Sequence, residues 1–328
     1  TNEEYIKAID MRTSRRTYKA RALDKSILEV LKNMVDAVNE ASGLEFQLVE
    51  DGTPAFKIFS GRFSYIAVCG EDSEAARVKS GYWGESIVLQ CVYHGLGTCW
   101  VSGTYDENKV YKAIDLPKKH RLYAVIVVGY VKDKLSAKEK LMYNATHKNN
   151  KPYQKMFEVC DKKLPPYYEY AMKLVEKAPS ATNRRPVHFR YEDDIIKGYV
   201  DEPYSDKSLD FGIAQLHFQL GVLVQALLDL AAQILAGLLL LEKLVRNVHG
   251  GQHRGVGPAQ AGPVHHVPHL TVHQGGTALH ILLALLGHHG VLLTRDETVI
   301  LFFIRNPLQQ ALYLSGFPAI RPEFPAET

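Results

Sequence analysis

The sequence predicts an α+β fold for its first 221 residues. Apolar residues make up 46% of the 328-residue chain and charged residues 23%, as is usual in soluble globular proteins. Helical and strand-like patterns follow one another along the chain without the strict alternation of a βαβ protein. Residues 122–130 form an unbroken apolar run, which is typical of a central buried strand.

Each predicted element rests on local spacing or on a cap. Residues 23–40 give the strongest helix prediction, because Asp24 can cap them and apolar residues recur at helical spacing. Residues 84–94 carry an apolar stripe and are followed by glycine, which often ends a helix. In chain order, helices are predicted at residues 2–10, 23–40, 84–94, 167–177 and 208–220, and strands at residues 45–50, 63–69, 99–102, 122–130 and 187–191.

Charge and cysteine usage exclude several classes of protein. A net charge of +3 is too small to indicate a nucleic-acid partner or an anionic membrane. The four cysteines are far apart and form no C-x-x-C pair, which indicates reduced thiols and a cytoplasmic protein rather than a disulfide framework. The N-terminal residues show no signal-peptide pattern. No set of residues has the spacing of a metal site.

A break in composition divides the chain near Gly221-Val222. Lysine occurs 23 times through Lys207 and once afterwards, whereas histidine occurs five times through His217 and nine times afterwards. Such different usage predicts two units, residues 1–221 and residues 222–328. A frameshifted, wrong-frame or fused sequence would explain the second unit, and so would a genuine accessory domain.

The second unit offers few structural signals. Residues 222–241 are long and apolar enough to suggest a membrane span, but Gln225, Asp229 and Gln233 recur every four residues. This spacing favours an amphipathic helix packed on protein. Apolar residues 279–286 would need burial, and residues 297–305 predict a strand. His265, His266 and His269 lie in a Gly/His/Pro-rich stretch that is typical of disorder.

Three segments of the first unit could hold a ligand. Arg12-Thr13-Ser14-Arg15-Arg16 offers three guanidinium groups and two hydroxyls to a phosphate, although a solvated basic turn has the same composition. Gly95-Leu96-Gly97-Thr98-Cys99-Trp100 could let a flat ring approach the backbone, or could simply end a helix. Residues 179–186 join a helix to a strand through small residues, whose N–H groups can bind a ligand or form an ordinary turn.

Side chains that suggest chemistry are better explained as structural. Cys99 lies in an apolar strand with no base beside it, so a buried structural thiol is favoured over a nucleophile. Glu85 is predicted at the surface or a hinge, since it faces away from the apolar stripe of its helix. His94, His188 and His217 are isolated in sequence.

Five motifs in one order resemble the FMN-dependent nitroreductase family, over residues 5–220. They are residues 12–18, residues 84–89 with 95–100, Gly129-Tyr130, residues 178–186 and residues 209–215. The resemblance implies a nitroreductase-like fold, with a central, mostly antiparallel sheet flanked by helices. The long separation between the first and fourth motifs resembles a subgroup in which two pseudo-symmetric halves are fused in one chain, which implies a monomeric pseudo-dimer or a homodimer.

The resemblance also implies roles for the matched residues. The FMN phosphate would be held by Arg12, Ser14 and Arg16, and Gly97 and Thr98 would lie close to the ring. Lys151 is the nearest match to a basic residue that the family often adds. The isoalloxazine would be lined by Pro179, Ser180, Ala181 and Asn183.

The resemblance implies an oxidoreductase that passes electrons from NADH or NADPH through FMN to small electron-poor acceptors such as nitroaromatics or quinones. No side chain is predicted as a catalytic acid or base, because the flavin carries the chemistry. Arg185-Pro186-Val187 departs from the family's Gln-Pro-Trp. This departure keeps two alternatives open: a flavin-binding protein without turnover, and an interaction protein with a vestigial site.

Overall fold

A computed structural model describes residues 2–148, 150–160, 164–192, 195–202, 205–250, 291–292 and 300–302. Helices and strands are mixed along the chain, as the α+β prediction requires. The helices are α1 (Asn2–Met11), α2 (Lys25–Ser42), α3 (Glu74–Tyr93), α4 (Glu107–Ala113), α5 (Ala137–His147), α6 (Pro166–Val175) and α7 (Asp206–Gly250). The strands are β1 (Gln47–Val49), β2 (Ser64–Glu71), β3 (Leu96–Val101), β4 (His120–Tyr130), β5 (Phe157–Val159), β6 (Val187–Glu192), β7 (Ile195–Val200), β8 (Val291–Leu292) and β9 (Ile300–Phe302).

The strands form two sheets. The first has the order β1-β2-β4-β3 and is antiparallel throughout. The second has the order β5-β6-β7-β9-β8 and is antiparallel except for the β5–β6 pair. The mixed fold with mostly antiparallel sheets and flanking helices confirms the predicted class.

Strand β4 is buried on both faces, which explains its unbroken apolar sequence. Ile126 and Val128 pack into the core beneath α1, α2 and α3. Val125 and Val127 point the other way, into an aromatic-rich core that includes Phe56. Because side chains alternate between the faces of a strand, a strand covered on both sides must be apolar at successive positions.

Helices α3 and α7 touch backbone to backbone. A Cβ atom on Gly81 would clash with the carbonyl oxygen of Leu209, and one on Gly212 would clash with that of Val78. Each helix therefore contributes a glycine where the other approaches it. The contact between α3 and α7 lies between two apolar cores, one beneath the first sheet and one beneath the second. The Trp100 side chain packs against both cores.

Several elements differ from the sequence predictions. Helix α3 begins ten residues before the predicted start, because the Ser73 side chain accepts a hydrogen bond from the Ala76 amide and caps it. Helices α4 and α5 and strands β5 and β7 were not predicted. Helix α7 begins at Asp206 and continues through the proposed boundary at residues 221–222 to Gly250, so the predicted end at Leu220 was wrong.

The distal part of α7 also differs from its prediction. Leu228, Leu235 and Leu239 are exposed, so the apolar residues of this stretch are not all packed on protein. Among the described residues, no helix combines the length and apolar character needed to cross a membrane. Of predicted strand 297–305, residues Ile300–Phe302 are a strand. The apolar run 279–286 and the three histidines at 265, 266 and 269 lie outside the described residues.

Candidate functional site

One cavity brings the two halves of the predicted site together. Its volume is about 740 Å³, which suits a small-molecule site. The arginine segment lines it with Arg12, Thr13, Ser14 and Arg16, and the segment after α6 lines it with Ala178, Pro179, Ser180, Thr182, Asn183 and Arg185. The remaining wall comes from the end of α1, from α5 and from the last turn of α6. Segments more than 160 positions apart in sequence thus face the same space.

The arginine segment is fixed to strand β3 from behind. Ser14 pairs with Thr98 as a single parallel bridge, and the Arg15 amide donates to the Thr98 carbonyl at 2.8 Å. Side chains alternate in direction along this extended segment, so Arg15 points away from the cavity. The Arg15 side chain is buried in the protein interior. Its guanidinium donates to Glu139 and to the Lys132 carbonyl. Of the three arginines in the segment, Arg12 and Arg16 line the cavity and Arg15 does not.

Glu139 of α5 organises the arginine segment. Its Oε1 accepts from the amides of Arg16 and Thr17 at 2.7 and 3.0 Å and from Arg15 Nε at 3.2 Å. Its Oε2 accepts from the Ser136 amide at 2.8 Å. Burial acts to raise the pKa of Glu139, but the amide hydrogen bonds outweigh it and lower the pKa to about 2.

The sequence did contain a signal for this residue. Ser136 and Glu139 form a capping box, in which each side chain bonds the other's backbone. The pattern S-x-x-E marks a helix start at this position. It does not show that the same carboxylate also reaches Arg16 and Thr17, which depends on how α5 packs.

Arg12 and Arg16 are the cationic groups left available to a ligand. Both line the cavity and are partly buried, and neither guanidinium is paired with a carboxylate of the described residues. Arg12 Nε is buried without a hydrogen-bond partner among those residues, and so is Arg185 Nε. A buried N–H without a partner is costly, so neither side chain is fully satisfied by the described residues. Other cations of the cavity already have partners: Lys177 pairs with Asp10, and Lys173 with Glu169.

The 179–185 loop has an unusual backbone. Thr182, Asn183 and Arg185 have positive φ angles of 52°, 57° and 49°. Most side chains avoid this left-handed region, and threonine, which is β-branched, does so strongly. The amides of Ser180 and Thr182 make no hydrogen bond with the described residues, so they can serve a ligand.

Four other predicted site residues do not line the cavity. Gly97 lies against Val131, where a Cβ atom would clash, and Thr98 supports the arginine segment through its carbonyl. The Lys151 carbonyl accepts from Arg185 Nη1 at 2.6 Å. The Ala181 amide bonds Asp210. Contact of these four residues with a cofactor stays a prediction.

A buried polar network beside the site was missed by sequence reasoning. Glu85 is completely buried, so its predicted surface position was wrong. Its carboxylate accepts from Trp100 Nε1 at 2.8 Å and lies 3.1 Å from His217 Nε2. His217 Nδ1 lies 3.0 Å from the Leu174 carbonyl, so His217 is not isolated either. The network joins α3, β3, α6 and α7. Cys99, by contrast, is buried as predicted, and burial raises the pKa of its thiol.

Comparison with known proteins identifies the family. A family model described as "Putative TM nitroreductase" matches residues 4–222, which is most of the chain. The chain belongs to this family. Membership of this nitroreductase family indicates a general oxidoreductase function and confirms the resemblance seen in the motifs. No curated protein matches the chain.

Solved structures of nitroreductases overlap only in part with this family member. One from Thermotoga maritima, described as a "putative nitroreductase", is 22% identical, covers 66% of this chain and 82% of its own, and has a TM-score of 0.44. An FMN-dependent nitroreductase from Clostridium difficile is 21% identical over 44% of this chain and 99% of its own, with a TM-score of 0.32. A nitroreductase family protein from Clostridium novyi is 21% identical over 39% and 86%, with a TM-score of 0.31.

Proposed function

We propose that this protein is an FMN-dependent oxidoreductase that passes electrons from NADH or NADPH to small, flat, electron-poor acceptors such as nitroaromatics or quinones. One observation carries the proposal beyond family membership. The arginine segment and the 179–185 loop, which match two separate family motifs, line a single cavity. Two guanidinium groups without carboxylate partners and a loop with two available amides meet there.

The basic side of the cavity suits the phosphate of FMN. Arg12 and Arg16 would bind phosphate oxygens by charge-assisted hydrogen bonds, and the Ser14 hydroxyl would add another. Glu139 also lines this side, but its carboxylate is occupied by Arg15 and by backbone amides. The cations therefore prevail where the phosphate would bind.

The loop side of the cavity suits the ring system. Bound FMN would supply the hydride transfer, so the protein's own task is to bind, orient and stabilise charge. The amides of Ser180 and Thr182 would donate to negative charge that develops on the ring. Pro179 and Ala178 add apolar surface beside them. A single cavity that receives donor and acceptor in turn favours a ping-pong reaction.

A flavin-binding protein without turnover is the second candidate. Arg185 and Val187 stand where the family has glutamine and tryptophan, and Arg185 is buried with Nη1 bonded to the Lys151 carbonyl. An added charge and a lost aromatic ring beside the loop could abolish the entry of an acceptor while leaving the cofactor bound.

An anaerobic titration tests the proposal. The purified full chain is supplied with FMN, freed of excess, and examined for flavin absorbance before and after addition of NADH or NADPH. We expect bound flavin that either nucleotide bleaches and that a quinone then restores. Bound flavin that neither nucleotide bleaches would establish the second candidate. A protein that binds no FMN would contradict both.

Substitution of the arginines tests the phosphate assignment. We expect Arg12→Ala and Arg16→Ala each to weaken FMN binding by about 1.5–3 kcal/mol, because each removes a charged hydrogen bond. Riboflavin lacks the phosphate, so its affinity should change much less. Arg21→Ala is the matched control, since Arg21 is exposed and pairs with Asp24 outside the cavity. Unchanged FMN affinity in both cavity variants would refute the assignment.

A further inference from the structure

The 179–185 loop needs to be held in place. Three of its residues have positive φ angles, and none of them is glycine. Such conformations are unfavourable for residues with side chains and persist only where the surroundings fix them. The Ser180 hydroxyl accepts from the Arg185 amide at 2.9 Å, and the Asn183 side chain donates to the Thr146 carbonyl. These contacts tie one side of the loop to itself and to α5.

Asp210 of α7 holds the other side of the loop. The Ala181 amide donates to both of its carboxylate oxygens, at 3.0 Å to Oδ1 and 3.2 Å to Oδ2. Arg184 Nη2 donates to Oδ2 at 3.1 Å. Ala181 and Arg184 flank the two consecutive residues with positive φ, so one buried carboxylate fixes both ends of the strained turn.

Asp210 is itself placed rigidly. It lies between Leu209 and Gly212, the two residues at which α7 touches the backbone of α3. Glycine at positions 81 and 212 lets the two helices pack closely here, and this contact positions the carboxylate beside the loop. Ser180 and Thr182, whose amides are available to a ligand, flank Ala181 directly.

We propose that Asp210 is a positioning residue whose ionised carboxylate holds the 179–185 loop in its strained shape, and that protonation of this carboxylate releases the loop. Asp210 does not line the cavity and would act through the loop amides. The contact between Asp210 and the loop does not depend on a bound ligand. Its consequence for flavin affinity rests on the proposed function.

Electrostatics place this change near neutral pH. Burial raises the pKa of Asp210 to about 7, against the opposing effects of Arg184 and of the Ala181 amide. Two charged groups of the described residues face the carboxylate: Arg184 from the loop, and Asp206 one turn earlier on α7. Above pH 7 the ionised group can accept all three hydrogen bonds. Below it, one oxygen carries a proton and loses acceptor capacity. On release of the loop, Asp210 would lose the Ala181 amide and Arg184, which both lower its pKa, while its place at the α3–α7 contact would keep it buried. Its pKa would then be higher in the released state than in the held state, so a falling pH favours release.

Hydrogen exchange of the Ala181 amide, without flavin, tests the hold directly. After correction for the intrinsic pH dependence of exchange, we expect its protection factor to fall about tenfold from pH 8 to pH 6, because the pKa of Asp210 is about 7 in the held state and higher in the released state. In Asp210→Asn the protection should be low at both values and independent of pH. A wild-type protection factor that does not change with pH or that rises as the pH falls, or an Asp210→Asn variant that keeps the tenfold change, would overturn the proposal.

Two further variants keep the test decisive if Asp210→Asn folds poorly. Arg184→Gln removes a positive charge from Asp210, so the midpoint of the transition should move to higher pH. Asp206→Asn removes a negative charge, so the midpoint should move to lower pH. Both side chains are partly exposed, which favours folded variants. Midpoints that stay where they are in both variants would show that another group titrates.

Riboflavin binding tests the functional consequence. Riboflavin is the probe because the phosphate of FMN would itself titrate near pH 6. We expect its dissociation constant to rise about tenfold from pH 8 to pH 6 in the wild type and to be independent of pH in Asp210→Asn. If no flavin binds but Ala181 protection still titrates, the proposed function fails and the role of Asp210 stands. If flavin binds and the protection does not titrate, the role of Asp210 fails and the proposed function stands.

Discussion

Glu139 carries a negative charge beside the cavity that we propose for a phosphate. Repulsion of the phosphate would be expected from this position, but the hydrogen-bond donors around Glu139 compensate its charge. Three amides and one guanidinium nitrogen donate to its two oxygens. A carboxylate so fully bonded stabilises the segment that presents Arg12 and Arg16. The same residue thus shapes the basic wall while its own charge is compensated.

Replacing Glu139 with glutamine should destabilise the fold. We expect the free energy of unfolding to drop by about 3 kcal/mol at pH 7, because Arg15 is left buried without a carboxylate partner and one of the two acceptor oxygens becomes an NH2 donor that faces other donors. Urea denaturation measures the change. Glu169→Gln is the control, since its ion pair with Lys173 is exposed and should contribute little to stability. Equal effects in the two variants would contradict the role assigned to Glu139.

The pH dependence of stability provides a second check on Glu139. Its pKa is lowered in the folded state to about 2, so its contribution is present above the unfolded value of 4.5 and is lost as the pH falls from about 4.5 to 2. The wild type should therefore lose stability over this acid range more steeply than Glu139→Gln. Parallel curves for the two proteins would exclude the assigned pKa.

The Glu85–His217 pair should show strong coupling in a double-mutant cycle. Both side chains are completely buried, so removing either leaves one buried polar atom of the other without its partner, although Glu85 keeps Trp100 and His217 keeps the Leu174 carbonyl. An unsatisfied buried polar group costs about 1–3 kcal/mol. Glu85→Leu and His217→Leu together should cost at least 1 kcal/mol less than the sum of the single changes. Urea unfolding followed by tryptophan fluorescence suits the measurement, because Trp100 donates to Glu85. Additive effects would show that the two groups do not interact.

At the scale of elements, the contact between α3 and α7 sets the geometry of the site. Helix α7 carries Asp210 to the loop and His217 to Glu85, and both placements depend on how closely it approaches α3. Glycine permits that approach at Gly81 and Gly212, where a side chain would meet backbone atoms of the other helix.

Gly81→Ala and Gly212→Ala should each destabilise the fold by about 1–3 kcal/mol through overpacking. In a helix without such a contact, the same substitution would instead stabilise the fold by about 1 kcal/mol, so the sign of the change in stability tests the contact. Chemical denaturation gives the magnitude, and exchange at Ala181 reports whether the loop loosens as α7 shifts. Gly103→Ala is the control, since its added Cβ atom meets nothing within 4 Å. Stabilisation by either helix variant would show that the helices are not in contact there.

The elements that the sequence predicted well are those whose signal is local. Residues 122–130 gave β4 because both its faces are buried. Helix α2 begins directly after Asp24 as predicted, but the Asp24 side chain makes no capping hydrogen bond and accepts from Arg21 and Tyr130 instead. Helix α5 was missed because its stripe is weak and its capping box was the main clue. The roles of Glu85 and Asp210 could not be predicted, because their partners come from distant elements. The cavity itself could be expected only through the family motifs, since its walls meet by tertiary packing.

At the scale of the whole molecule, the described apolar cores and the family match cover the same part of the chain. Three apolar cores account for both faces of the first sheet and for the helical face of the second. Among the described residues, the last buried position is Leu223, and Leu228 is the first of three exposed leucines further along α7. The family match ends at residue 222 as well. These limits coincide with the boundary that lysine and histidine usage predicts, and the identity of residues 222–328 as a separate unit stays a proposal.

A chain that ends after Gln225 should therefore keep its fold and its ligand. It retains every buried core position of the described residues and both walls of the cavity. We expect its FMN dissociation constant to stay within about twofold of the full chain's, and its free energy of unfolding to change by about 1 kcal/mol or less. The main loss would be the pairing of β7 with β9, which leaves β7 at the edge of its sheet. If the shortened chain loses both cooperative unfolding and FMN binding, residues 222–328 are part of the same fold. In that case, contacts between the two units supply stability that the first unit lacks alone.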